Sequence, residues 1–133
     1  METEASRKVV IDYLAAQAAG DRKRLTELLD ENVRWCPPGD VAGIGKPQGR
    51  ENVLSALAEA GARFFDLGTM RVDVQWMIAE GNKVVVRTQN QVVASNGRDY
   101  RNEYVWVYTC ANGKIVDMEE HTDTQLFKQV VLD

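Results

Sequence analysis

Metal ligands are scarce in this chain. Its 133 residues hold one histidine, His121, and two cysteines, Cys36 and Cys110, whereas the usual zinc sets need four clustered ligands, mostly Cys and His. Two cysteines are also too few for a disulfide framework, so a pair of reduced thiols is expected. Three prolines and the lack of any low-complexity stretch leave nothing to divide the chain, and the length suits one domain spanning residues 1–133. A basic excess is missing too. Lys and Arg number 16 against 20 Asp and Glu, a net charge of −4, which argues against a nucleic-acid partner. No apolar run approaches membrane-spanning length, and the polar, acidic Met1–Arg7 does not read as a secretion signal. No membrane association and a cytoplasmic location are therefore expected.

What is present changes period halfway along. Val9, Val10, Tyr13, Leu14 and Gln17 follow the three-four spacing of an amphipathic helix over about residues 3–19. Gly20 stands where a helix-ending glycine belongs, and Asp21 can cap a second short helix that runs to about Leu29. Asn32 to Cys36 reads as a short strand stopped by Pro37-Pro38-Gly39. Residues 37–49 form a Gly- and Pro-rich loop long enough to suggest function. A third helix follows from about Arg50 to Phe65, with Val53, Leu54, Leu57, Gly61 and Phe64 on one face.

From Val72 the period becomes two: Val72, Val74, Trp76 and Ile78 alternate with Arg71, Asp73, Gln75 and Met77. Turn signals recur at Glu80-Gly81-Asn82, Asn96-Gly97 and Asn112-Gly113. Their spacing predicts four long antiparallel strands in a meander, and strands of this length must twist and curl. The predicted class is α+β: three N-terminal helices on a strongly curled, mostly antiparallel sheet of four to five strands, a cone with a cavity the third helix cannot fill.

The last strand carries the chemistry. Asn-Gly is a strong two-residue hairpin signal, because both turn positions need positive φ. Beyond it, Val116, Met118, Glu120 and Thr122 share one face, while Asp117, Glu119, His121 and Asp123 share the other. Glu120 is thus a carboxylate in the apolar register. A buried carboxylate must find a partner or raise its pKa, and a raised pKa suits acid–base chemistry at neutral pH. His121 falls on the polar face.

Several runs together resemble the nuclear-transport-factor-2-like superfamily, in its SnoaL-like and ketosteroid-isomerase-like branch. They are Val9-Val10-Ile11-Asp12-Tyr13-Leu14-Ala15-Ala16 with Ala19-Gly20-Asp21, then Gly49-Arg50-Glu51-Asn52-Val53, then Asn112-Gly113-Lys114-Ile115-Val116 and Glu120-His121-Thr122-Asp123-Thr124. The resemblance implies a cone with a deep apolar cavity, commonly in a homodimer. In ketosteroid isomerases a tyrosine on the first helix donates to the developing oxyanion, and Tyr13 falls there. The general-base Asp of that family is replaced by Cys36, and its protonated second donor falls on Val105. A glutamate in the last strand also resembles the acid/base glutamate of the phenazine-biosynthesis A/B proteins, which share a run like Tyr100-Arg101-Asn102. A limonene-epoxide-hydrolase-like reading would want an Arg-x-Asp pair, and Arg87-Thr88-Gln89 lacks the Asp.

Counting back through a two-residue Asn112-Gly113 loop puts Val105 opposite Glu120. A two-residue Asn96-Gly97 loop then puts Thr88 opposite Val105, with Thr88 and Asn90 facing the cavity. A single bulge would instead turn Arg87 inward. Tyr104, Trp106 and Tyr108 fall on the other face, as a sheet-to-sheet dimer contact. The expectation is a homodimeric, cofactor-independent protein that takes a small apolar molecule. Glu120 is its acid/base and Tyr13 an auxiliary donor, with Cys36, Thr88, Asn90, Val105, Met118 and Arg87 around the pocket. The reaction class would be isomerisation, cyclisation or lyase-type elimination. The alternatives are a small-molecule-binding or protein-docking module without chemistry and, third, an epoxide-hydrolase-like enzyme, which would need a second inward carboxylate such as Glu103.

Overall fold

The computed structural model describes residues 1–133. Helix α1 (Glu2–Ala19) turns Ser6, Val9, Val10, Tyr13 and Ala16 into the interior, so the expected stripe holds at Val9, Val10 and Tyr13, while Leu14 is half-buried and Gln17 exposed. Gly20 ends it in the left-handed region at φ 66°. Asp21 Oδ1 accepts from the Arg24 backbone N–H at 3.1 Å and caps the short α2 (Arg22–Leu28). Strand β1 (Leu29–Cys36) buries Leu29, Val33 and Trp35. The loop that follows returns alongside it: Trp35 N–H donates to the Pro47 carbonyl at 2.9 Å, and Gly49 N–H to the Val33 carbonyl at 2.8 Å. Helix α3 (Arg50–Phe64) buries Val53, Leu54 and Phe64.

Four strands complete the sheet: β2 (Phe65–Glu80), β3 (Lys83–Ala94), β4 (Asp99–Ala111) and β5 (Lys114–Thr122). The spatial order is β1-β5-β4-β3-β2, antiparallel throughout except for the parallel β1–β5 pair. The chain closes with α4 (Thr124–Phe127), capped by Asp123, and a π-helical turn over Lys128–Leu132. This is the expected α+β architecture, a curled and mostly antiparallel sheet under three helices.

Two apolar clusters hold it together. The larger packs α1 and α3 against β1, β3, β4 and β5 through residues such as Val10, Val33, Val53, Val86, Ile115 and Met118. The smaller joins Phe64, Val92, Tyr100, Tyr104 and Phe127. Each fully buried aliphatic side chain contributes about 1.5–3 kcal/mol relative to exposure. Between the clusters the packing is incomplete, and that gap is the cavity.

The strand registers depart from the sequence count in two places. The β3–β4 connection is a three-residue loop, Ser95-Asn96-Gly97, because Val93 pairs with Asp99 and Ala94 N–H donates to the Arg98 carbonyl. In the β4–β5 hairpin, Cys110 pairs with Ile115 but Thr109 with Asp117, so Val116 is an extra residue. Each slip moves the pairing by one residue and flips β4 relative to its neighbours. Trp106, not Val105, therefore stands opposite Glu120. Tyr104, Trp106 and Tyr108 face the interior, with Tyr104 and Tyr108 buried within the single chain. The row is thus unavailable as the dimer contact expected of it. Val105 pairs with His121 and Arg87 on the outer face.

Candidate functional site

A cavity of about 220 Å³ lies between the sheet and α3. Loop residues Pro37, Pro38, Val41, Ala42 and Ile44 form one wall, and Leu57, Ala60, Gly61 and Phe64 of α3 another. The sheet supplies Trp35, Asn90, Tyr104, Trp106, Glu120 and Thr122, and Phe127 of α4 adds to the lining. The loop is thus part of the site, as its length suggests. No lysine or arginine is on the wall, and Glu120 is its only carboxyl.

Glu120 reaches this wall because Met118, Glu120 and Thr122 keep the inward parity of β5 beyond the bulge. Its Oε1 accepts a hydrogen bond from Trp35 Nε1 at 3.0 Å. Burial among apolar groups pushes the carboxyl up to about 8 from its ordinary 4.5, and the indole donor pulls partly back. Burial thus favours the protonated acid, and the hydrogen bond from Trp35 engages only Oε1.

Tyrosines surround it. Burial first, and then the Glu120 charge, push Tyr13 upward. Burial also raises Tyr108, Tyr104 and Tyr100, and each feels Glu120 as well. Tyr13 packs edge-on against Tyr108 with ring centroids 5.8 Å apart, and Trp106 stacks on Tyr108 at 5.8 Å. Tyr104 OH and Tyr100 OH are 2.7 Å apart, and Asn102 Nδ2 donates to Tyr100 OH at 2.7 Å.

The expected site residues separate into three groups. Glu120 and Asn90 stand on the cavity wall, and buried Thr88 lies behind Asn90, its hydroxyl donating to Asn90 Oδ1 at 2.8 Å. Tyr13 and Met118 are inward but belong to the packed core rather than to the wall. Cys36, Val105 and Arg87 are outside it. Cys36 alternates with Trp35, so it turns away from the cavity along with Arg34. Arg87 bonds Gln75 and Glu103 on the outer face, so neither Arg87 nor Glu103 can supply the epoxide-hydrolase constellation. His121 is exposed there too. Trp35, Tyr104 and Trp106 are the wall residues that strand counting missed, whereas Thr122 stands on the face it shares with Glu120. The composition of β4 held a signal for them. Its other face carries the charged Asp99, Arg101 and Glu103, so the aromatic face is the one to bury.

With the cavity described, comparison with protein families supplies its context. The SnoaL-like domain family matches residues 10–118. The chain belongs to the SnoaL-like domain family. Among solved structures, this SnoaL-like domain superposes on a protein from a soil-derived mobile gene cassette with TM-score 0.87 and 26% identity, covering 98% of this chain and 99% of that one. An NTF2-like protein of unknown function from Burkholderia pseudomallei K96243 follows at TM-score 0.86 and 24% identity, over 97% and 98% of the two chains. TerC, co-crystallised with polyporic acid, superposes with TM-score 0.84 and 21% identity over 97% and 99%. The fold is nuclear-transport-factor-2-like. Comparison with curated proteins found no match. No helix of this SnoaL-like domain is long and apolar enough to cross a membrane.

Proposed function

We propose that this SnoaL-like domain is a cofactor-independent acid–base enzyme in which Glu120 exchanges protons with a small, neutral, oxygenated molecule. One observation carries the reading: the only carboxyl on the cavity wall stands among apolar groups, accepts from Trp35 and is pushed up to about 8. A group titrating near the working pH is suited both to giving and to accepting a proton. As the neutral acid, Glu120 delivers its proton to a ligand carbonyl oxygen. As the resulting carboxylate it removes a proton from the adjacent carbon, which regenerates the acid and leaves the ligand as its enol. The same two strokes underlie isomerisation and cyclisation. The co-crystallisation of the similar TerC with polyporic acid supports an oxygenated ligand.

The test uses 2-tetralone in deuterated buffer, with deuterium incorporation beside the carbonyl followed by NMR. The protein accelerates exchange, and Glu120→Gln lowers that acceleration by roughly 10²–10⁴. An unchanged rate in Glu120→Gln overturns the mechanism. A second reading, a ligand carrier without chemistry, is favoured by the absence of any other carboxyl on the wall. Binding of 2-tetralone with no acceleration of exchange supports it.

A further inference from the structure

Two side chains on the cavity wall are also exposed to solvent, Gln17 of α1 and Leu67 of β2. A residue that faces both the cavity and the solvent is part of the partition between them. Gln17 is carried on the last turn of a regular helix. Leu67 is placed differently. Between Asp66 and Arg71 the strand carries Leu67, Gly68, Thr69 and Met70, where β3 has only Val92. An insertion of this kind interrupts the ladder and re-aims its side chains. Thr69 holds the inserted backbone: its Oγ1 donates to the Asp66 carbonyl at 2.7 Å and accepts from the Val93 N–H at 2.9 Å. Met70 packs against the smaller core cluster, while Leu67 packs against neither cluster and is 52% exposed. The backbone here is anchored and the Leu67 side chain is not.

What Leu67 does touch is Gly61 of α3, which is on the wall as well. A Cβ at position 61 would meet Leu67 Cδ1 at 3.3 Å and Cδ2 at 3.4 Å. Glycine inside a helix is disfavoured against alanine. Its missing side chain leaves a seat for the two Leu67 methyls. The surface leading to that seat is apolar. Val72 pairs with Asn90 and Val74 with Thr88, so both share the inward face of the sheet, yet each is 50% exposed. With Met70 on the wall, an apolar strip runs along the edge strand β2 from open solvent to Leu67.

We propose that ligands enter the cavity between β2 and the C-terminal half of α3, past the Leu67 side chain, which rests on Gly61 when the mouth is shut and swings off it to let them through. The strip of Met70, Val72 and Val74 receives an apolar molecule ahead of this gate. The assignment rests on the cavity of Glu120 being the ligand site, not on the chemistry of Glu120.

The experiment uses the full chain with 2-tetralone and with tetralin, the same skeleton without the oxygen. Association and dissociation rates are read from exchange of the indole ¹H–¹⁵N resonances of Trp35 and Trp106, both on the wall. Leu67→Ala leaves the mouth open and raises association about tenfold, with dissociation rising alongside it and Kd held within about threefold. Leu67→Trp slows both rates. Leu67 belongs to neither core cluster, so both substitutions leave the fold intact. A steric gate acts alike on the two probes, and ketone and hydrocarbon shift together. Gln17→Ala leaves both rates within about twofold. Rates unmoved in both Leu67 variants overturn the proposal. Faster dissociation with unchanged association in Leu67→Ala marks a wall contact without gating and overturns it too. So does acceleration in Gln17→Ala alone, which puts the mouth at α1, and so does failure of both probes to bind the wild type up to their solubility limits. The two readings fail separately. Loss of proton exchange in Glu120→Gln with binding rates unmoved in the Leu67 variants removes only the entry route. Absence of exchange in the wild type with rates that follow Leu67 removes only the chemistry of Glu120.

Discussion

The indole Nε1 of Trp35 donates to Oε1 of Glu120 at 3.0 Å, tying the edge strand β1 to its parallel neighbour β5 across the cavity wall. The donor favours the carboxylate, while burial favours the acid and is the larger effect. Their difference leaves the carboxyl near 8 rather than higher. Trp35→Phe removes the donor and keeps an aromatic ring. The Glu120 titration then moves further upward, as read from the pH dependence of a ¹³C-labelled glutamate carboxyl resonance.

The same shift makes stability depend on pH. Glu120 titrates near 8 in the folded protein against about 4.5 unfolded, so between these values the native state holds the extra proton. The folded state is favoured by this group at low pH, and the advantage is lost as pH rises from about 4.5 through 8. Glu120→Gln does not titrate. Urea denaturation should therefore show the stability of the variant, relative to wild type, improving by on the order of 3–5 kcal/mol between pH 5 and pH 9. A difference that stays constant with pH refutes the upward shift of this carboxyl.

The inverted face of β4 has a direct check. Val105→Thr places a polar group on the outer face and leaves 2-tetralone affinity within about twofold and stability within about 1 kcal/mol. Trp106→Leu, one residue along, removes cavity wall and weakens both 2-tetralone and tetralin.

Met118 is fully buried in the larger core cluster rather than on the cavity wall. Met118→Ala costs about 2–5 kcal/mol in chemical denaturation, through lost burial and the space it leaves.

Outside the site, Arg34 grips Asp117 with two bonds, at 2.6 Å from Nε and 3.1 Å from its terminal nitrogen, beside the Trp35–Glu120 contact. Both partners are partly exposed, so Asp117→Asn costs no more than about 1 kcal/mol, and added salt shrinks the difference.

Helix spacing, capping residues and turn signals are local properties, and the order of elements was legible from them. The 3–19 stripe, the Gly20 stop and the Asp21 cap follow from residues within a turn of one another, whereas β2 begins at Phe65, ahead of the alternation read from Val72, and leaves Val72, Val74, Trp76 and Ile78 exposed. The inward parity of Glu120 was legible for the same reason, since Met118, Glu120 and Thr122 alternate on one strand. What lay across the sheet was not. An unmarked third loop residue at Ser95 and the bulge at Val116 each moved a register by one, and a one-residue slip exchanges the two faces of a strand. The two slips cancel for Thr88 and Asn90, which face inward either way. They do not cancel for β4, where Val105 and Tyr104 change places. Sequence alone thus determined an α+β fold with a curled sheet and the inward parity of one acid. Tertiary structure decided that acid's partner, Trp35, and set Tyr104 beside it, because strand pairing brings together residues that no local pattern connects.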